Sequence, residues 1–404
     1  MFKKLINTIM YAFISRIVRK DEKAIVLGSW KGESFTDNSR YFAEYIIKNH
    51  PDYKVYWVGK KTIEKEIAEK CPEIIFLEKD KFKTNVAITK AKYCLFSQKY
   101  HIDISKYNLM HNTITCYLHH GVPIKKWGDD GLNQLHRTTK FDKWKGQITG
   151  SLLDYDYYAS SSPLNTDVLL TAMKTFGCTR DKVLSSGTPR DDMLVNYDDE
   201  FSKERKDYYS DIIDYKKDQK IVLYLPTYRR VTEDIFSLAI LNNEQRKRLE
   251  EVLEKYNAVI IEKSHFAEKV QFDGYLSENI KFVNQGVNVQ EMYLFTDILI
   301  SDYSSALLDY LLLNRPIIDF IYDYEEYKNV DSGLYYDIED YYAGEVARNF
   351  NELLIALERI LSGDDAFANR RAEMREKYMK FETGHASEII FDKVIKQNSQ
   401  KNKS

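Results

Sequence analysis

Short apolar runs alternate with amphipathic stretches from residue 24 onward. Two clear runs, AIVLG at 24–28 and YKVYWVG at 53–59, flank a stretch near 37–49 whose apolar residues have helical spacing. Further strands are predicted at EIIFL near 73–77, KYCLFS at 92–97, TITCYL at 113–118, YYASS at 157–161 and KVLSSG at 182–187. Because strands that alternate with helices form βαβ units, this order predicts a parallel sheet.

A second series of the same kind follows in the other half of the chain. Helices are predicted near 242–255, from about 303, and two or three times after 350. The predicted strands are IVLYLP at 221–226, AVIIEK at 258–263, KFVN at 281–284, DILIS at 297–301 and RPIIDF at 315–320. The predicted fold class is therefore α/β, with two Rossmann-like, doubly wound domains that face a central cleft at the carboxyl ends of their strands.

These patterns divide the chain into five segments. The stretch around 196–218 is strongly charged and has little apolar pattern, so it is predicted to contain a linker between the domains. The segments are an N-terminal helix at 1–20, a first domain at 21–200, the charged linker at 201–218, a second domain at 219–380, and a C-terminal helix and tail at 381–404.

Residues 1–20 predict an amphipathic helix that contacts an anionic membrane surface. The segment holds five basic residues and no acidic one, and its apolar residues recur at helical spacing. The alternative is a helix packed on the core of the protein itself. No run of 18 apolar residues occurs, so no spanning helix is predicted. A cleaved signal peptide is disfavoured because a small-residue cleavage site is missing.

Composition narrows the class of function. The 404 residues suffice for two domains, and 44% hydrophobic with 30% charged residues exclude a disordered chain and a membrane bundle. The net charge of -3 gives no reason to expect a nucleic-acid partner. The four cysteines have neither C-x-x-C nor zinc-ligand spacing, which is typical of reduced cytosolic residues.

Polar side chains follow the predicted strand at 297–301. Ser301, Asp302, Ser304 and Ser305 lie where a helix is predicted to begin, and hydroxyl groups beside free backbone N–H groups can hold a pyrophosphate. Ordinary helix capping by Ser301 or Asp302 is the alternative.

Three other strand ends carry groups suited to phosphate chemistry. CYLHHGVPIKKWG delivers His119 and His120 to a turn, and histidine titrates near neutrality. The other candidates, for binding anionic substrate or phosphate, are Lys125 and Lys126 in the same segment, Thr227 and Arg229 in YLPTYRR, and Lys263 with His265 in VIIEKSHF. Each could instead be structural.

At this point the sequence resembles a known family, the CDP-glycerol glycerophosphotransferases of teichoic acid and capsule synthesis. The resemblance covers most of the chain. It rests on DNSRYFAEY (37–45), HHGVPIKKWG (119–128), SGTPRDDML (186–194), YLPTYR (224–229), SDYSSALLDY (301–310) and RPIIDFIYDYEEY (315–327). It implies a GT-B arrangement, in which 21–200 binds the acceptor, 219–380 binds the CDP donor, and 381–404 closes the molecule.

The resemblance also implies roles for single residues. His120 matches the family's general base and His265 its second histidine, which stabilises the phosphoryl group. Ser304 and Ser305 hold the donor pyrophosphate, and Arg229 follows the Pro-Thr-aromatic turn. Asn38, Arg40, His119, Lys125 and Lys126 are expected on the acceptor side. Because His119 stands where tryptophan is commoner, the choice between His119 and His120 as the base stays open.

The reaction that the resemblance implies is displacement at phosphorus. A hydroxyl attacks the β-phosphorus of CDP-glycerol, or of CDP-ribitol, and CMP leaves. No cofactor and no metal are expected. The expected acceptor is an undecaprenyl-linked saccharide or a growing teichoic or capsular chain at the cytoplasmic face of a bacterial membrane. The brief N-terminal helix favours a primase over a polymerase.

Two rival interpretations remain at this level. A sugar glycosyltransferase can use the same scaffold, and Asp154 and Asp156 form a D-x-D pair that could ligate a metal. A non-enzymatic membrane scaffold is the other. It predicts that nucleotide does not bind and that His120→Ala has no effect.

Overall fold

Two parallel sheets form the framework of the molecule. The computed structural model describes residues 2–131, 144, 153–227, 236–263, 274–283, 287–330 and 333–401. The first sheet has the strand order β3-β2-β1-β4-β5-β6-β7, and all its described strand pairs are parallel. Its strands are β1 (Asp21–Gly28), β2 (Lys54–Gly59), β3 (Ile75–Glu78), β4 (Ala91–Phe96), β5 (Ile114–Tyr117), β6 (Tyr157–Ala159) and β7 (Val183–Leu184).

The second sheet repeats this plan. Its order is β10-β11-β9-β8-β12-β13-β14, and β10 pairs antiparallel with β11 while the other described pairs are parallel. Its strands are β8 (Lys220–Leu225), β9 (Ala258–Lys263), β10 (Gly274–Ser277), β11 (Ile280–Val283), β12 (Ile298–Ser301), β13 (Ile317–Phe320) and β14 (Glu345–Ala347). The strand order reverses between β1 and β4 and between β8 and β12, and ligands bind at such switch points.

Helices cover both faces of each sheet. The first domain contains α1 (Phe2–Ile17), α2 (Asp37–Asn49), α3 (Glu64–Lys70), α4 (Phe82–Lys90), α5 (Tyr100–Asp103), α6 (Pro163–Ala172) and α7 (Asp192–Asn196). Then come α8 (Asp199–Ile213), α9 (Asn243–Lys255), α10 (Val289–Phe295), α11 (Ala306–Tyr310), α12 (Tyr324–Val330), α13 (Ile338–Tyr341), α14 (Phe350–Leu361) and α15 (Ala368–Tyr378). The last helical stretch comprises α16 (Ala386–Ile390), a π-helical turn (Phe391–Lys396) and α17 (Gln397–Lys401).

The central strands are apolar on both faces because each face is covered. Ile25 and Leu27 of β1 face one core cluster, whereas Ala24 and Val26 face the other. In the second sheet, the side chains of β8 divide in the same alternating way between two buried clusters. This double burial explains why the strands are continuous apolar runs rather than alternating ones. It confirms the predicted α/β class.

The segment predicted as a charged linker is mostly a helix. Residues 199–213 form α8, which Asp198 caps by accepting a hydrogen bond from the Phe201 N–H at 2.7 Å. Tyr209 and Ile213 of this helix are buried in the core of the second domain, together with Tyr215. Most of the segment predicted as a linker is thus a helix packed on the second domain, which the sequence did not indicate because its few apolar residues are surrounded by charges. The boundary at 201–218 itself stays a prediction.

The C-terminal helical stretch returns to the first domain. Ile390, Phe391, Val394 and Ile395 are buried in one core cluster of the first sheet. The Phe391 ring stacks on the His50 ring with centroids 3.6 Å apart. The end of the chain therefore packs on the sheet of the first domain.

Three elements of the second domain differ from the sequence prediction. The strands β10 and β14 were not predicted, because GYLS and EVA are short and carry no apolar run. The helix predicted from about 303 begins only at Ala306 and has five residues. Residues 302–305 instead form a turn that leaves the sheet.

Candidate active site

The cleft between the sheets brings two of the motif turns into contact. One turn follows β5 and contains His119, His120 and Gly121, and the other follows β12 and contains Ser304 and Ser305. Gly121 has φ 130°, and a Cβ atom added there would lie 2.9 Å from the Ser305 Oγ. Only glycine fits this conformation and this approach, so the turn from the first domain lies directly against the turn from the second.

The two histidines of the first turn have different environments. His119 has φ 66° and is 2% exposed, and its Nδ1 accepts a hydrogen bond from the Gly121 N–H at 3.2 Å. His120 is partly exposed as a residue. Its ring lies 6.1 Å from the Trp30 ring, and its Nδ1 lies 3.5 Å from the Tyr117 hydroxyl. His119 thus shapes the turn, whereas His120 is the less buried residue of the two.

Both imidazoles are biased toward the neutral form. Burial lowers the pKa of His119 well below its ordinary value, and the neighbouring His120 and Arg190 act in the same direction. Burial also lowers the pKa of His120, which the charge of Asp37 opposes and the charge of Arg190 supports. A neutral imidazole is the form that can accept a proton.

Asn38 is hydrogen-bonded to the backbone of the turn that contains His119. Its Nδ2 donates to the carbonyl oxygens of Leu118 at 3.1 Å and of His119 at 2.8 Å. Its Oδ1 accepts from the Arg190 N–H at 3.0 Å. Asn38 is fully buried, so its observed contacts are with the backbone of the turn, and contact with an acceptor stays a prediction.

Arg40 connects the two domains. Its Nε is 2.7 Å from the Glu44 Oε1, and its Nη2 is 3.4 Å from Glu291 Oε1 of α10. The guanidinium also lies over the Phe35 and Tyr41 rings. Its observed partners therefore belong to the domain interface.

The segment after the histidine turn pairs with the second domain. Lys125 forms an antiparallel bridge with Leu334, and the Lys126 N–H donates to the Gly333 carbonyl at 2.9 Å. The Lys125 Nζ lies 5.0 Å from the centre of the Tyr327 ring. Both lysines, predicted on the acceptor side, thus lie where backbone hydrogen bonds join the two domains.

The donor-side candidates gather along the carboxyl edge of the second sheet. Thr227 follows β8, Lys263 ends β9 and Ser301 ends β12. These three strands are neighbours in the sheet. The Asp302 carboxylate accepts hydrogen bonds from the N–H and the hydroxyl of Thr227, and the Ser301 hydroxyl donates to the Leu225 carbonyl at 3.0 Å. Asp302 and Ser301 therefore fix the edge of the sheet.

Ser304 and Ser305 lie in the turn between β12 and α11, and both are partly buried. The Ser304 Oγ accepts from the Ala306 N–H at 3.2 Å, and its carbonyl accepts from the Tyr341 hydroxyl at 2.9 Å. Ser305 precedes α11, and its side chain makes no capping bond. Arg229 and His265, the remaining two candidates, lie outside the described residues.

Sequence reasoning assigned no role to a set of buried charged residues behind the two turns. Arg190 lies within hydrogen-bonding distance of Asp37 and Asp309, and the Glu382 carboxylate accepts from the Thr188 N–H at 2.9 Å. Burial raises the pKa of Glu382 to about 8 and also raises the pKa of Asp309. The motif SGTPRDDML was a signal for Arg190, but its partners are 153 and 119 residues away and only the fold brings them together.

Neither a cluster of metal ligands nor a membrane-spanning helix occurs among the residues that the structure describes. Among those residues, no group of three or more histidine, cysteine, aspartate or glutamate side chains has a metal-binding arrangement. In the same part of the chain, no helix has both the length and the apolar character needed to cross a membrane.

Comparison with known proteins identifies relatives of this chain. The teichoic acid poly(glycerol phosphate) polymerase of Bacillus subtilis (strain 168) is 27% identical over 396 residues, which are 96% of this chain and 50% of that protein. The teichoic acid glycerol-phosphate transferase of Staphylococcus aureus (strain NCTC 8325 / PS 47) is 26% identical over 403 residues, 98% of each chain. The solved structure of the wall teichoic acid polymerase TagF superposes with a TM-score of 0.78 at 22% identity, covering 99% of this chain and 98% of that one.

The likeness to TagF confirms the GT-B-like fold. A profile described as CDP-glycerol:poly(glycerophosphate) glycerophosphotransferase matches residues 9–396, which is nearly the whole chain. The resemblance drawn from the motifs is thereby confirmed, and the chain belongs to the CDP-glycerol:poly(glycerophosphate) glycerophosphotransferase family.

Proposed function

We propose that the chain transfers glycerol phosphate from CDP-glycerol to a hydroxyl of a lipid-linked saccharide or a growing teichoic or capsular chain. The single observation that carries the proposal is the contact between the His120 turn and the Ser304–Ser305 turn, marked by Gly121 against the Ser305 Oγ. The proposed base from one domain and the proposed phosphate-binding hydroxyls from the other thus belong to two turns that are in contact. The family description supplies the donor.

His120 acts as the general base in this proposal. It takes the proton of the acceptor hydroxyl while that oxygen forms a bond to the β-phosphorus of the donor. The bond from the β-phosphorus to the oxygen shared with the α-phosphate breaks, and CMP leaves with the electron pair. Such a base contributes about 10²–10⁴-fold to the rate. His119 is buried and bonded within its own turn, which supports His120 in the choice that the sequence left open.

The donor side offsets the negative charge of the transferred group. Ser304 and Ser305 bind the pyrophosphate, with Thr227 and Lys263 along the same edge of the sheet, and Arg229 and His265 are proposed to supply further positive charge. Transfers of this kind depend on positioning and charge stabilisation. We propose that they need no metal here. CDP-ribitol is a second candidate donor, because relatives include the ribitol-phosphate polymerases of Staphylococcus aureus (strain NCTC 8325 / PS 47).

The exposed face of α1 supports a place at the cytoplasmic surface of the membrane. Ile6, Ile9, Phe13 and Ile17 are each about half or more exposed, whereas Tyr11 on the other face packs on the Tyr107 ring at 5.0 Å. An apolar stripe of this kind, beside basic residues, binds the interface of anionic lipids. The proposed acceptor is anchored in the same membrane.

The test is CMP release from purified protein with a lipid-linked disaccharide acceptor, offered CDP-glycerol and CDP-ribitol in turn, with and without a chelator. We expect acceptor-dependent release with CDP-glycerol that the chelator does not change. Product length separates the addition of one or a few units, as in a primase, from polymerisation. Release with CDP-ribitol alone would move the assignment to the second donor. No release with either donor, and no donor binding by calorimetry, would contradict the proposal.

A further inference from the structure

Arg190 lies behind the two turns and has no part in the chemistry described so far. It belongs to the short 3-10 turn Pro189–Asp191, and its side chain is only 8% exposed. Its Nη1 donates to the His120 carbonyl at 2.9 Å and lies 3.1 Å from the Asp37 Oδ1. Its Nη2 lies 2.7 Å from the Asp309 Oδ2.

The three partners of Arg190 belong to three segments of the proposed site whose relative positions must be kept for transfer. Asp37 begins α2, His120 is the proposed base, and Asp309 lies on α11, directly after the Ser304–Ser305 turn. The same Nη2 atom would lie 2.9 Å from a Cβ added at Gly121. A planar guanidinium with fixed N–H directions can hold three such acceptors at once, whereas a lysine ammonium cannot reproduce that fork.

We propose that Arg190 is a positioning residue, which fixes the backbone of His120 against the donor-binding turn through its shared contacts with Asp37 and Asp309. The inference rests on the proposed function, because it assumes that His120 is the base. It adds a coupling between the two domains. The contacts with Asp37 and His120 lie within the first domain, but the contact with Asp309 exists only when the second domain is docked.

Local strain supports a role beyond stability. Asp37 is a non-glycine residue at φ 67°, and its Oδ1 also accepts from the Asn38 N–H at 2.8 Å. Strained residues persist where surrounding contacts fix them, and they cluster at functional sites. A buried ion pair is by itself weak evidence for stability. Here one guanidinium contacts two carboxylates and a backbone carbonyl, so it fixes the relative positions of the three segments that carry them.

Arg190 also acts on the base through its charge. The charged and titratable groups that face His120 within the described residues come from four segments, and they are Asp37, Arg190, Lys99, the adjacent His119, and Tyr117, whose hydroxyl lies 3.5 Å from the His120 Nδ1. Loss of the positive charge at 190 leaves Asp37 less opposed, and the pKa of His120 rises. Because the base must be neutral, the acid limb of the pH profile of kcat then moves to higher pH.

The experiment compares Arg190→Lys, Arg190→Gln and Asp309→Asn with the wild type and with the surface variant Arg180→Gln. Arg180 makes an exposed ion pair with Asp167 in the same domain. CMP release is measured as kcat and KM from about pH 5 to pH 9, and donor affinity by calorimetry with CDP-glycerol. Thermal unfolding shows which variants fold, and Asp309→Asn keeps the test valid if both Arg190 variants fail to fold.

We expect Arg190→Lys and Asp309→Asn to lower kcat by about 10-fold or more, with the Kd for CDP-glycerol within about threefold of the wild type, since misplacement by about 1 Å costs about 10²-fold. Arg190→Gln alone should move the acid limb to higher pH. Arg180→Gln should match the wild type.

Two results would overturn the inference. If the folded variants keep the wild-type kcat and pH profile, Arg190 is only structural. If the Kd for CDP-glycerol rises with kcat unchanged, Arg190 binds the donor. A His120→Gln variant in the same assay separates the two levels of the account, because full activity in that variant contradicts the proposed base itself, whatever Arg190 does.

Discussion

Gly121→Ala tests whether the contact between the two turns sets the rate. The added Cβ would lie 2.9 Å from both the Arg190 Nη2 and the Ser305 Oγ, whereas ordinary contact begins at 3.4 Å. Each neighbour must therefore retreat by about 0.5 Å, and the contact with Ser305 moves the histidine turn and the donor turn apart by about that much. Because a misplacement of about 1 Å can cost about 10²-fold, this displacement is expected to lower kcat by about 10-fold.

The same substitution also strains the backbone, and this cost needs its own control. Gly121 has φ 130°, and a non-glycine residue in such a region costs about 1–3 kcal/mol. Gly363 has φ 100° and nothing within 4 Å of its added Cβ. Gly363→Ala therefore carries a similar backbone penalty without a steric contact and far from the cleft.

The assay is CMP release with CDP-glycerol and acceptor, beside the Tm of each variant. We expect both alanine variants to lower Tm, and only Gly121→Ala to lower kcat. If Gly121→Ala keeps kcat within twofold of Gly363→Ala, the close approach of the two turns is irrelevant to transfer and the reasoning fails.

Three further predictions concern stability and membrane binding. Burial raises the pKa of Glu382 from 4.5 to about 8, so the folded state binds this proton more tightly than the unfolded chain, and the free energy of unfolding falls as pH rises through that range. Glu382→Gln should reduce this fall, measured by urea denaturation at several pH values. An unchanged dependence of the free energy of unfolding on pH would contradict the prediction. Asp192 accepts from the Ala386 N–H at 2.7 Å and the Ser387 N–H at 2.8 Å at the start of α16, so Asp192→Ala should lower the free energy of unfolding by about 0.5–2 kcal/mol while Asp192→Asn keeps most of it. Phe13→Glu should weaken sedimentation of the protein with anionic vesicles. Ile355→Glu, at a site of equal exposure on α14, should not. Equal binding by both variants would exclude the exposed face of α1 as the membrane-binding surface.

The strands and their order in the chain were predictable because their signal is local. A buried parallel strand such as β8 is a continuous apolar run, and the turns that follow such strands are marked by glycine, proline and polar residues. The short edge strands β10 and β14 lack that run. In α8, burial of Tyr209 and Ile213 depends on the surface of the second domain, which no window of sequence contains.

The part of the site that the sequence motifs form was predictable. The turns with His120 and with Ser304 and Ser305 were identified from residue types that follow strands, and the fold brings them together. The contacts of Arg190 were not predictable, because Asp37 and Asp309 are distant in sequence. The role expected for Asn38 rested on the resemblance and that for Asp302 on residue type, whereas their observed hydrogen bonds go to the backbone of the turn and to Thr227.

The central claim is that His120 accepts the acceptor proton at the junction of the two turns. The most direct measurement is a single-turnover rate of CMP release for His120→Gln, with CDP-glycerol affinity measured by calorimetry on the same preparation. His111→Gln is the matched control, because His111 is an exposed histidine of the same domain.

The account predicts that His120→Gln binds CDP-glycerol with the affinity of the wild type and releases CMP about 10²–10⁴-fold more slowly, while His111→Gln behaves as the wild type. A His120→Gln variant that binds donor and keeps more than half of the wild-type rate would contradict the account.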